Sequence, residues 1–178
     1  MTTRKIITAI YISFISLIFV SCLEKGPNTN SGGEDILTVH EITQPIIASS
    51  INYVDTVYVP IYSDIYVNSS NTKSLLAATL SIRNTSLRDS IFISLIDYYN
   101  TKGDLVRQYL ERPIMLKPLE SVDYVVEKED DLGGSGANFI LALSSNSANI
   151  HPVIQAVMIG NEGNKGFSFT TEGTSTIR

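Results

Sequence analysis

The residues of this chain best suited to chemistry crowd into one stretch, EKEDDLGGSGANF, residues 127–139. Gly133, Gly134, Ser135, Gly136 and Ala137 approximate the G-x-S-x-G turn of a serine nucleophile, where a strand delivers the serine and a helix leads away. Ala137 replaces the last glycine, an acidic run precedes the turn, and a strand pattern follows it. The same glycines offer backbone N–H groups to a phosphate. Glu127, Glu129, Asp130 and Asp131 would repel that anion, and no lysine completes a P-loop. Asp130, Asp131 and Asn138 are hard oxygen donors of the kind calcium takes, at a spacing that matches no EF-hand. A solvated turn would need the same residues for another reason: glycines for tight backbone bends and Asn138 to pin one.

Tyr58, Tyr62 and Tyr66 are the second candidate. They share a parity within residues 57–67, so on one strand they would line one face. Tyrosine gives a sugar or protein partner a large rigid surface with a polar tip. It is also an ordinary strand former. His40 and His151 are far apart and neither belongs to a ligand-spaced cluster. No cofactor is implied by any of these patterns.

Composition narrows the classes. The chain has 178 residues, 43% hydrophobic and 17% charged, with one Cys and no Trp. That length suits one domain with a real core. A nucleic-acid binder is disfavoured, because 13 Lys and Arg face 18 Asp and Glu without any basic cluster. One cysteine excludes a disulfide framework and a cysteine-based zinc site.

That cysteine lies at an informative place. Arg4 and Lys5 open the chain, residues 6–20 carry no charge, and Ser21-Cys22 precedes an abrupt polar switch at Glu24 and Lys25. This is the grammar of a signal peptide over residues 1–21. Phe19-Val20-Ser21-Cys22 resembles a lipobox, with Phe19 where that pattern prefers Leu, and a lipobox cysteine becomes the lipidated first residue of the mature protein. Residues 22–35 then read as the lipidated Cys22 and a flexible tether, rich in Gly, Pro, Asn and Ser. Its 13 residues after Cys22 span at most ~45 Å. The leader takes two of the 13 basic residues and no acidic one, so the net charge of −5 becomes −7.

The elements that must position the candidates occupy residues 36–178. Leu76, Ala78, Leu80 and Ile82 alternate with polar or small neighbours, as do Val122, Tyr124 and Val126, and Phe139, Leu141 and Leu143. Residues 91–99 are apolar on both parities until Asp97, which suits a central strand. Gly103 can turn a hairpin into residues 105–110. Pro60 cannot donate to a ladder, which makes 57–67 an edge or bulged strand. Strand patterns at residues 153–159 and 167–170 close the set. About 7–9 short strands without crossover helices predict an all-β antiparallel, immunoglobulin-like β-sandwich, with a closed barrel as the alternative.

Several stretches also carry a family resemblance: VYVPIYSDIY from Val57, LLAATLSIRNTS from Leu75, IDYYNTKGDLVRQYL from Ile96 and GGSGANFIL from Gly133. Together, over residues 57–160, they resemble the bacterial family catalogued as domain of unknown function 3124, whose members are often predicted lipoproteins. The resemblance implies no activity, substrate or cofactor. The expectation is a lipoprotein anchored in the bacterial envelope, at the periplasmic side or the outer membrane, that binds an envelope protein or a glycan without catalysis. The alternative is a calcium-type or hydrolytic site on residues 127–139.

Overall fold

Alternation along the chain becomes burial in space. The computed structural model describes residues 41–42 and 50–176; the signal segment, Cys22, the tether and His40 lie outside the described residues. The described chain forms eleven strands: β1 (Tyr53–Pro60), β2 (Asp64–Tyr66), β3 (Lys73–Arg83), β4 (Ile91–Tyr99), β5 (Leu105–Gln108), β6 (Ile114–Leu116), β7 (Ser121–Val126), β8 (Asn138–Ser145), β9 (Val153–Glu162), β10 (Lys165–Glu172) and β11 (Thr174–Ser175). The excess over seven to nine comes from short pieces, since β2 and β6 have three residues each and β11 two. There is no α-helix among the described residues, and no helix long and apolar enough to cross a membrane.

Two antiparallel sheets form a β-sandwich. One runs β11-β1-β8-β4-β5, with β6 also on β4; the other runs β10-β9-β3-β2, with β7 also on β3. Leu76, Leu80 and Ile82 from one sheet, and Ile93, Tyr98, Phe139 and Leu141 from the other, are fully buried in one shared core.

Two local devices depart from simple strands. Residues 57–67 are not one edge strand. β1 ends at Pro60, which has no N–H to continue a ladder, and the chain crosses over so that β2 pairs with β3 in the opposite sheet. β1 itself is paired with β8 along its whole length. In β4 the register against β8 shifts between Ile93 and Leu95, leaving Ser94 as the extra residue of a bulge. Ile91 and Ile93 point inward before it, Ile96 and Tyr98 after it. The double-sided apolar pattern of residues 91–99 is this change of parity, on a strand that is indeed central.

The connections gather at two ends. Residues 84–90, 117–120 and 146–152 link strands at the end where β1 starts, since Tyr53 pairs with Ser145. The crossover 61–63, the hairpin 100–104 and the segment 127–137 lie at the other.

Candidate functional site

At that far end the glycine-rich segment is bound into the fold by its backbone. Gly134 O accepts the Ser63 N–H at 3.1 Å, and Ala137 O accepts the Ile61 N–H at 2.9 Å. Gly133 O accepts both the N–H and the hydroxyl of Thr101, at 2.8 and 3.0 Å. Thr101 Oγ1 in turn accepts the Gly136 N–H at 2.9 Å. The segment therefore joins the sheet crossover to the β4–β5 hairpin. Gly134 adopts φ +75°, a region open to glycine. Gly133 is buried against the Tyr98 hydroxyl and Ser63 Oγ, where a Cβ would overlap both. Those two groups share a 2.8 Å hydrogen bond, and burial holds the Tyr98 hydroxyl above its ordinary pKa while the Ser63 bond acts the other way.

The carboxylates of the segment are separated by role. Asp130 pairs with Arg107 Nη2 at 2.9 Å, and its other oxygen accepts the Leu132 N–H at 3.3 Å. Asp131 is exposed, and Asn138 pairs with Pro60 and Tyr99 at the start of β8. Ser135 is half-buried ahead of β8, and His151 lies at the opposite end of the sandwich, ahead of β9. Among the described residues no group of three or more His, Cys, Asp or Glu side chains is placed to hold a metal ion.

The three tyrosines are divided rather than aligned. Tyr58 is exposed on β1. Tyr62 lies in the crossover, packed edge-on against Phe169 at 5.7 Å between ring centroids. Tyr66 is exposed on β2 in the other sheet, with Lys73 Nζ 5.0 Å from its ring centroid. The crossover after Pro60 is what separates them.

A different place gathers convergent polar groups. Between the start of β1 and the start of β9 an open cleft of about 360 Å³ is walled by Tyr53, Asp55, His151 and Glu172, with Val57 and Ile154 beneath. Its polar wall is preorganised. Asp55 accepts the Tyr53 hydroxyl at 3.2 Å on one oxygen and Ser175 Oγ at 2.6 Å on the other. Gln155 Nε2 donates to Glu172 at 2.8 Å. Burial, then the Asp55 charge and hydrogen bond, push the Tyr53 hydroxyl up to about 12. Fixed acceptors above an apolar floor can orient a hydroxylated or cationic group, and the cleft falls within the usual size of ligand pockets, roughly 300–1,000 Å³. Sequence reading missed it because its walls come from residues a hundred positions apart; the period-two repeat of Tyr53, Asp55 and Val57 is the only local sign.

Comparison with known proteins adds a family match. A family model described as "Protein of unknown function (DUF3124)" matches residues 54–176, reaching past residue 160 to include β10 and β11. The chain has no significant match among curated proteins. The crystal structure of Thermotoga maritima 1070 is similar at 16% identity and a TM-score of 0.42, over 67% of this chain and 92% of that one; a likeness of that degree has no bearing on function.

Proposed function

This chain belongs to the DUF3124 family, described only as of unknown function, and on that footing we propose that it is a lipid-anchored, non-enzymatic binding domain of the bacterial envelope. The leader 1–21, Cys22 and the polar tether to residue 35 support the address. Acyl chains on Cys22 supply the anchor, since stable attachment takes more than one chain.

The observation that carries the binding role is the cleft between β1 and β9, where Asp55 and Tyr53 are held ready above Val57 and Ile154. The class of partner is an envelope protein or a glycan, each rich in hydroxyl and amide donors for those acceptors. The acidic glycine-rich segment takes no part in this proposal, because Asp130 is engaged by Arg107 and Gly133 is closed over by Tyr98.

The test uses the full chain as bait against envelope extract and an array of bacterial glycans. A specific protein or glycan should be enriched over a mock bait, and Asp55→Asn should weaken that capture roughly tenfold, about 1.4 kcal/mol. No enrichment contradicts the binding role. Equal capture by wild type and Asp55→Asn contradicts the cleft as its site.

A further inference from the structure

Among the described residues the two most exposed large hydrophobic side chains are Leu87, 76% exposed, and Leu119, 64% exposed. They come from different loops, which are joined where the Leu119 N–H donates to Ser86 O at 3.1 Å. Scattered exposed leucines need no explanation. This pair is held outward by an ordered frame. Asn84 is buried and donates from Nδ2 to Asp89 O, Leu116 O and Lys117 O at 2.8, 3.2 and 2.9 Å, tying the two loops together. Its Oδ1 accepts the Ser86 N–H at 3.0 Å, and its N–H reaches Glu120 O at 2.9 Å. Leu119 also takes φ +63°, a left-handed conformation that costs a non-glycine residue energy.

Both signs of charge occur within the two loops. Arg88 and Lys117 are exposed. Opposing them, Asp89 faces the Ser86 hydroxyl at 3.4 Å, and Glu120 Oε2 accepts the Lys117 N–H at 2.7 Å. The two loops, residues 84–90 and 117–120, therefore carry no net charge of their own, with exposed Arg83 adjoining them at the end of β3. Its position supplies the occupant. β1 begins at this end, with the Asn52 N–H on Ser145 O at 3.0 Å. Upstream, Glu41 bridges Ile114 in antiparallel sense, so the chain at Glu41–Ile42 runs from the Leu116 side toward Pro113, away from the tip. At Glu41, then, the chain comes onto the sandwich from the side of the end that carries Leu87 and Leu119.

We propose that Leu87 and Leu119 form a membrane-contacting tip that enters the interfacial layer of a phospholipid bilayer and sets the anchored domain upright on it. This rests on the lipid-anchored reading above. The lipid holds the chain near the bilayer, and the tip adds a second, weaker attachment of the kind interfacial apolar side chains provide. Contact is apolar rather than electrostatic, so zwitterionic lipid suffices. The cleft, at the same end but on the open side between β1 and β9, is then presented close to the envelope surface.

The test places an environment-sensitive dye on Leu87→Cys, Leu119→Cys and Lys102→Cys variants of the full chain reconstituted in phosphatidylcholine vesicles. Lys102 lies in the hairpin at the far end. Emission from positions 87 and 119 should shift to the blue and be quenched by spin-labelled lipid, while position 102 stays water-like. Water-like emission from all three overturns the tip. A blue shift that persists without vesicles assigns the leucines to a protein contact and also overturns it. Dye uptake by the parent chain would reveal a free Cys22 and count against the anchor, with the 87-versus-102 difference still deciding the tip. Leu119→Gly separates this role from a structural one: it should leave the melting temperature unchanged or higher while reducing lipid quenching in a Leu87-labelled chain. A lower melting temperature with undiminished quenching contradicts the assignment of Leu119.

Discussion

Gly133 shows how a segment that reads as chemistry can be spent on packing. A Cβ there would fall on the Tyr98 hydroxyl and Ser63 Oγ, whose hydrogen bond joins β4 to the sheet crossover. Gly133→Ala should therefore cost about 1–3 kcal/mol, the usual penalty for overpacking a closed site, read from the midpoint of urea unfolding. Removing both hydroxyls relieves the two closest overlaps and leaves Ala137 Cβ at 2.8 Å, so the same substitution in a Tyr98→Phe, Ser63→Ala background should cost less. Equal penalties in the two backgrounds would show that the hydroxyls are not what fills the site. By contrast Gly136 would bring its Cβ only to 3.1 Å from Thr101 Cγ2, at an exposed position where the neighbour can give. The one-dimensional pattern GGSGA contains all these glycines but not the side chains across from them. Tyr98 and Ser63, which decide the matter, are 35 positions apart from each other and more than thirty from Gly133.

At the level of the strand, Ser94 sets which side chains of β4 reach the core. The bulge lets Ile91 and Ile93 face inward before it and Ile96 and Tyr98 after it. Deleting Ser94 restores strict alternation and turns Ile96 and Tyr98 outward, because a one-residue slip exchanges the two faces. The deletion should abolish cooperative unfolding, whereas Ser94→Ala, on an exposed side chain, should change stability by less than about 0.5 kcal/mol. A deletion variant that unfolds like wild type would contradict this role for the bulge. The regular strands were legible because each buries one face: β7 and β8 alternate residue by residue, β3 does so apart from the buried Ser81, and the Gly103 hairpin forms with φ +84°. The bulge and the switch after Pro60 were not, since both depend on which strand lies opposite. Local composition marks Pro60 as an interruption without saying that the chain then changes sheets. The division of Tyr58, Tyr62 and Tyr66 follows from that switch, and so does their failure to form one face.

For the molecule as a whole, the described strands, the cleft and the leucine-bearing loops belong to one sandwich. The two ends of the sandwich differ in kind. One is closed by the glycine-rich segment on the β4–β5 hairpin, with Leu132 exposed on it; the other carries the start of β1, the cleft, and Leu87 and Leu119 on joined loops. An N-terminal lipid would turn that difference into an orientation, with the leucine end toward the bilayer and the sealed end outward. On the proposed reading the acyl chains would bring the domain to the surface, the tip would fix its attitude, and the cleft would meet what lies there. Everything in that sequence depends on Cys22 being the modified first residue of the mature chain. Intact mass spectrometry of the full-length gene product extracted from bacterial membranes measures this directly. The expected mass is that of a chain beginning at Cys22 with added diacylglycerol and acyl groups. A mass corresponding to an unmodified chain, whether it begins at Met1 or at any residue after Ser21, would contradict the account.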